Sequence, residues 1–226
     1  MLRKENFIND QRRRSYLSAT YNRINRGKSV LIEGDYGVGK SRFLTLLNSK
    51  KYQTIQVESL FNIHETLASI LKKLNYDVKA TYRRTPEYLE RICGLSNHVI
   101  IIDEANDLNA KVWPYLKRVI DAGVPVIFAG LPKVRTFLAS EHPDILSRLK
   151  VLVLYPIIVE DFIMEYKKNF KAEAIEQIYM AVRGDMRKFE EICTDCMDRA
   201  KELKYSFVDL NLALEFITDF TTIGAD

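Results

Sequence analysis

Short apolar runs alternate along the chain with longer stretches in which apolar positions recur three and four residues apart. The runs at 29–33, 52–57, 99–103, 125–129 and 150–154 read as strands. In the third of them, Val99-Ile100-Ile101-Ile102 sets four β-branched residues in a row without polar alternation, the mark of a strand covered on both faces of a parallel sheet. Residues 52–57 alternate instead. Helices are predicted over 42–48, 60–74, 86–93, 109–122 behind an Asn109 cap, and 133–139. Five strands alternating with helices predict a doubly wound sheet with right-handed crossovers. Pro156 breaks that rhythm, and 160–170, 171–183, 186–203 and 208–220 all read as helix. The expected class is therefore α/β, a parallel five-stranded sheet flanked by helices, with a small C-terminal α-helical lid. Its expected parts are a basic N-terminal helical segment at 1–28, the α/β core at 29–156 and the lid at 157–226.

The first strand runs into Gly34-Asp35-Tyr36-Gly37-Val38-Gly39-Lys40-Ser41, a complete G-x-x-x-x-G-K-[ST] loop, and Arg42 follows it into the next helix. Strand, glycine loop and helix in that order separate a phosphate loop from a chance match. The glycines let backbone N–H groups close around a β-phosphate, while Lys40 reaches the β- and γ-phosphates and Ser41 holds Mg2+. Residues 34–42 form the expected nucleotide-binding set, with Lys40 also counted as catalytic. The second half of such a site is an apolar strand ending in acid, and residues 99–104 supply it. Asp103 is expected to orient Mg2+ and its waters, and Glu104 to polarise an attacking water. Binding and hydrolysis of a nucleoside triphosphate are the expectation.

Composition narrows the partners. With 226 residues and 47% apolar content, the chain has material for one α/β core and a small helical domain. A formal charge of +4 is mild, so a polyanion must be met by local patches. One patch is the basic segment 1–28, in which Arg12 to Arg14 read equally as a solvated helix face or a phosphate-contacting arm. In the other, Lys72, Lys73, Lys79, Arg83 and Arg84 surround Tyr76 and Tyr82, a mixture that suits a nucleic-acid backbone and also a solvated connector. No stretch nears the roughly eighteen apolar residues of a membrane span, and no apolar signal core follows the basic start. A cytoplasmic protein with no membrane partner is expected. Cys193 and Cys196 lie three apart on a predicted helix and read as small apolar residues packed inward. Cys93, His64, His98 and His142 are scattered and take no chemical role.

The order of phosphate loop, Asp-Glu strand, further strand, Ser147-Arg148-Leu149 before the fifth strand, and helical lid resembles the AAA+ ATPases over nearly the whole chain. The resemblance implies ATP as the nucleotide. It also implies that Arg148 reaches the γ-phosphate of a neighbouring subunit, and that Arg187, in Gly184-Asp185-Met186-Arg187-Lys188, contacts the phosphates of its own. The paired helices between the second and third strands, together with residues 121–132, resemble the branch holding the Mu B and TnsC/TniB transposition regulators, relatives of the origin-recognition ATPases. Members of that branch assemble on DNA as ATP-dependent rings or filaments and mark target DNA for a transposase. The implied partners are DNA held by its backbone, with Lys79, Arg83 and Arg84 as expected contacts, further copies of the chain, and a transposase or other recombination or replication protein. A replication initiator or helicase loader would use the same site and surfaces. A signalling or defence switch without DNA binding is the alternative from another class. One departure concerns rate: many AAA+ proteins end the fourth strand in a polar residue that senses the γ-phosphate, and Ala129-Gly130 stand there in this chain. That implies slow hydrolysis with a timing role.

Overall fold

A computed structural model of the chain describes residues 11–47, 52–58, 62–78 and 82–222. In chain order the elements are α1 (Gln11–Ile24), β1 (Ser29–Glu33), α2 (Lys40–Thr45), β2 (Gln53–Glu58), α3 (Ile63–Lys73), α4 (Thr85–Cys93), β3 (His98–Asp103) and α5 (Trp113–Asp121). There follow β4 (Val126–Gly130), α6 (Pro132–Glu141), α7 (Pro143–Leu146), β5 (Leu149–Val153), α8 (Val159–Tyr166), α9 (Ala172–Val182), α10 (Met186–Glu202) and α11 (Leu210–Thr222). The strands form one parallel sheet in the order β2-β3-β4-β1-β5. That order sets the carboxyl ends of β3, β4 and β1 side by side, at the edge where open parallel sheets bind their ligands. Burial follows the sequence pattern closely. Val99, Ile100 and Ile102 of β3 are fully enclosed, whereas β2, at the sheet edge, buries Ile55 and Val57 and exposes Thr54 and Gln56.

The described chain divides into two compact units. One holds the described residues of 15–35 and 40–154, and with them the whole sheet. Its core is closed by Trp113, whose ring lies 5.0 Å from Phe128 and 6.4 Å from Phe137. The other unit holds 11–14, 36–39 and 155–222. It packs around Phe162 and Phe189, with ring centroids 4.2 Å apart, and fully buries Cys193 and Cys196. Burial pushes both thiols upward, that of Cys196 to about 12, so at neutral pH they are protonated packing groups. Among the described residues no helix is long and apolar enough to cross a membrane.

Three boundaries depart from the sequence pattern. Residues 109–122 do not form one helix. Asn109 Oδ1 accepts from Lys111 N at 2.9 Å and caps a 3-10 turn at 110–112; α5 begins only at Trp113, because Pro114 has no N–H to give the turn before it. The helix predicted over 160–170 stops at Tyr166, since the chain leaves it to bridge Phe170 with Val208, where Val208 N donates to Asn169 O at 2.8 Å. Finally, α7 is a helix of 4 residues, too short to show any period in sequence.

Candidate nucleotide site

The phosphate loop leaves β1 still tied to β4, for Gly34 N donates to Gly130 O at 3.2 Å. It then turns through Gly37 (φ 74°) and Gly39 (φ 84°), left-handed values that a side chain would strain. Lys40 opens α2 as a buried residue, only 7% exposed, its ammonium donating to Gly34 O at 3.0 Å and Asp35 O at 2.9 Å. Burial lowers its pKa, and the charges of Glu104, Asp103 and Asp35 pull it back up. Asp103 ends β3, itself buried, and its Oδ1 accepts from Glu104 N at 3.0 Å. Glu104 is exposed and left-handed (φ 49°, ψ 44°), a conformation that costs a residue with a Cβ about 1 kcal/mol. Such strain persists where the surroundings fix it, and it concentrates at functional sites.

These residues fit a nucleoside triphosphate with Mg2+. A desolvated ammonium bonded to two neutral carbonyls gains from an arriving phosphate, which brings the opposite charge. Mg2+ in such sites takes one or two protein oxygens and completes its shell with phosphate and water. Asp103 and the exposed Ser41 on α2 are a donor set of that kind.

Within the unit that includes 36–39, the tip of the loop meets the start of α10. Met186 N donates to Gly37 O at 3.0 Å. A Cβ at Gly37 would collide with the Asp185 carboxylate, and one at Gly39 would lie 2.8 Å from Met186 Sδ. Asp185 caps α10 by accepting from Arg187 N at 2.9 Å, and the Arg187 side chain is exposed beside it. The same unit contains a residue that pattern reading missed. Arg13 is only 6% exposed between exposed Arg12 and Arg14, so the solvated-face reading fails at Arg13. Its Nη2 donates to Val38 O at 2.7 Å and to Tyr155 O at 3.0 Å. The signal that could have found it is a stripe: Arg13, Thr20 and Ile24, seven and four residues apart, share the buried face of α1.

A second missed residue is Glu33, the last of β1. It is 1% exposed, with Oε2 3.1 Å from Arg135 Nε in an ion pair that lacks hydrogen-bond geometry. Burial raises its pKa and Arg135 opposes the rise. Arg148 stands directly before β5, and its guanidinium donates to the Asp121 carboxylate and to Asp144 O. Lys117 joins that cluster, 3.1 Å from Asp121 and 3.6 Å from Asp144. Of the basic connector, Arg83 is exposed in a 3-10 turn at 82–84, Arg84 stands 3.9 Å from Glu87, and Lys79 lies outside the described residues. The structure thus gathers Lys40, Asp35, Asp103 and Glu104 electrostatically, while Arg148 and Arg84 are engaged with other acids.

A family model described as AAA domain matches residues 23–138. No curated protein matches the chain in sequence. In structure, the chain is similar to Drosophila ORC bound to DNA, at 16% identity and a TM-score of 0.72, over 98% of this chain and 63% of that one. It is similar to the ORC2 protein of Aeropyrum pernix in its ADPNP–ADP complexes, at 12% identity and a TM-score of 0.73, over 94% of this chain and 68% of that one. A third likeness is to RuvB, the Holliday junction branch migration motor of Thermotoga maritima, at 19% identity and a TM-score of 0.66, over 94% and 70% of the two chains. The chain therefore spans 63% of the length of the ORC chain and about two thirds of the others, and these likenesses establish the fold.

Proposed function

The chain belongs to the AAA domain family, and from that premise we propose that it is an ATPase that assembles with its own copies on DNA and there regulates transposition, directing target choice or recruiting a transposase. The observation that carries the ATPase part is the buried Lys40 ammonium held in the field of Asp103 and Glu104 at the carboxyl edge of the sheet. In this reading Lys40 and the loop 34–42 bind the phosphates, and Ser41 and Asp103 hold Mg2+. The ion, when bound, neutralises charge on the phosphate oxygens. Glu104 takes up the proton side of the attacking water, Arg148 reaches the site of a neighbouring copy, and Arg187 contacts the phosphates of its own. DNA association is supported by the basic connector and by the likeness to an ORC chain bound to DNA. The same likeness favours a second reading, a replication initiator or helicase loader, at least as well.

Lys40 acts on charge present in the bound ground state, whereas Glu104 acts only during reaction, so the two should separate binding from turnover. Lys40→Ala should weaken ATP binding; Glu104→Gln should keep binding and block hydrolysis. Equal hydrolysis by Glu104→Gln and the unaltered chain would remove Glu104 from the role of water-polarising residue. The ATP-locked Glu104→Gln form, loaded on DNA, is also the bait that separates the two readings: capture of purified transposase supports the first, and capture of purified replicative helicase the second.

A further inference from the structure

Strands β3 and β4 pair backbone to backbone as far as Ile102 and Phe128. Beyond that point β3 turns away through Glu104 into a 3-10 turn at 105–107, while β4 continues to Gly130. Asn106 spans the gap: its Oδ1 accepts from Leu131 N at 3.2 Å, adding one side-chain rung where the backbone ladder has ended. Its Nδ2 donates to Asp107 Oδ1 at 2.9 Å, and the two bonds together fix which end of the amide faces β4. Gly130 makes the room for this. A Cβ there would stand 3.3 Å from both Asn106 N and Oδ1, and 2.9 Å from Val134 Cγ2. Because Gly130 O also accepts from Gly34 N, the first residue of the phosphate loop, the end of β4 and the Glu104 turn are tied in series within one compact unit.

We infer that Asn106 is a positioning residue for hydrolysis, which holds the Glu104 turn in register with the end of β4; this rests on the ATPase reading of the site. Glu104 sits in a strained left-handed conformation at the mouth of that turn, and Asp107 N donates back to Glu104 O at 2.9 Å, so displacement of Asn106 carries Glu104 with it. Lys40 makes its bonds to Gly34 O and Asp35 O, neither of which involves Asn106. Binding and turnover are thereby held by different bonds. The amide also brings a polar group to the end of β4, where Ala129-Gly130 have none to offer.

The test replaces Asn106 in the full chain with Gln, which keeps an amide acceptor for Leu131 N and an amide donor for Asp107, and with Leu, which keeps neither. Measurements are ATP affinity by titration with a fluorescent analogue, single-turnover hydrolysis, and thermal midpoint. Asn106→Leu should hydrolyse ATP about tenfold to a hundredfold more slowly, the cost of a reacting group displaced by about an ångström. Its ATP affinity should stay within about threefold of the unaltered chain, as expected when the substitution weakens the transition state alone. Asn106→Gln should recover part of the rate. Equal losses in the two variants, a loss confined to affinity, or an unaltered rate in Asn106→Leu would each overturn the assignment. Glu104→Gln run alongside keeps the premise separate. Glu104-dependent turnover that ignores Asn106 overturns this inference only, turnover independent of Glu104 overturns the role given to Glu104 and Asn106 with it, and absence of turnover in the unaltered chain overturns the ATPase reading.

Discussion

Arg13 gives up nearly all its hydration on α1 and recovers hydrogen bonds from Val38 O and Tyr155 O. A buried guanidinium is costly unless carbonyls or acids satisfy it, so those bonds bind the loop as firmly as the loop binds the arginine. Val38 lies between Gly37 and Gly39, the two left-handed turns, and the orientation of its peptide sets the direction of the neighbouring N–H groups. Arg13→Ala should therefore weaken ATP binding by about tenfold or more, the value of charged hydrogen bonds at roughly 1.5–3 kcal/mol. Arg13→Lys should recover only part of that, since an ammonium lacks the planar fork that reaches two carbonyls together. Titration with labelled ATP measures both. An Arg13→Ala chain of unchanged affinity and normal thermal midpoint would reduce the residue to an ordinary surface arginine drawn inward.

At the scale of elements, the end of α5 and the start of β5 are joined by Asp121 and Arg148. The Asp121 carboxyl is held below its ordinary range, first by the hydrogen bond from Arg148 and then by that from Lys117. Its folded pKa is depressed, so the pair contributes above the unfolded carboxylate value and is lost as pH falls through the folded one. Arg148 is engaged within its own chain, and in the proposed assembly reaching a neighbour's phosphate would mean leaving Asp121 and Asp144 O. Arg148→Ala should leave ATP binding to the single chain nearly intact and remove assembly-coupled turnover by about a thousandfold or more, the range for an arginine supplied in trans. Mixing Arg148→Ala with Glu104→Gln subunits should restore hydrolysis at interfaces that pair the intact residues; mixed assemblies without recovery would sink the shared site. The elements themselves were plain in the sequence, because β-branched runs and the glycine loop are local signals. The tethers were not. Arg13 to Val38 and Asn106 to Leu131 each join side chains to backbone 25 residues away, and a single polar bond at that distance leaves no period to read. Even the early end of α8 depends on the distant bridge between Phe170 and Val208.

For the whole molecule, a charge of +4 over 226 residues is too small to bind DNA by overall attraction, so any grip must come from patches repeated by assembly. One copy reaches few phosphates, and the salt dependence of affinity scales with the number of phosphates neutralised. In the proposed assembly, copies brought together by ATP would set equivalent patches along the backbone, and weak interactions would then combine through effective concentration. Arg83 is exposed and so positioned to serve in this way, whereas Arg84 is partly committed to Glu87 at 3.9 Å, a surface pair worth less than about 1 kcal/mol and easily given up to phosphate. Lys79 adds a third charge to the same connector in sequence. DNA binding should therefore be cooperative in protein, dependent on ATP and steep in salt. Replacing Lys79, Arg83 and Arg84 together by Ala should reduce affinity about equally on all sequences, since groups that bind only the backbone carry no base information. The slope of log affinity against log salt should fall by about one for each phosphate that is no longer neutralised. Fluorescence anisotropy across a salt series, with and without ATP, reads all three quantities at once. An unaltered slope in the triple variant would move the DNA surface to another face of the chain, and absence of DNA binding in every nucleotide state would favour a nucleotide switch that acts on proteins.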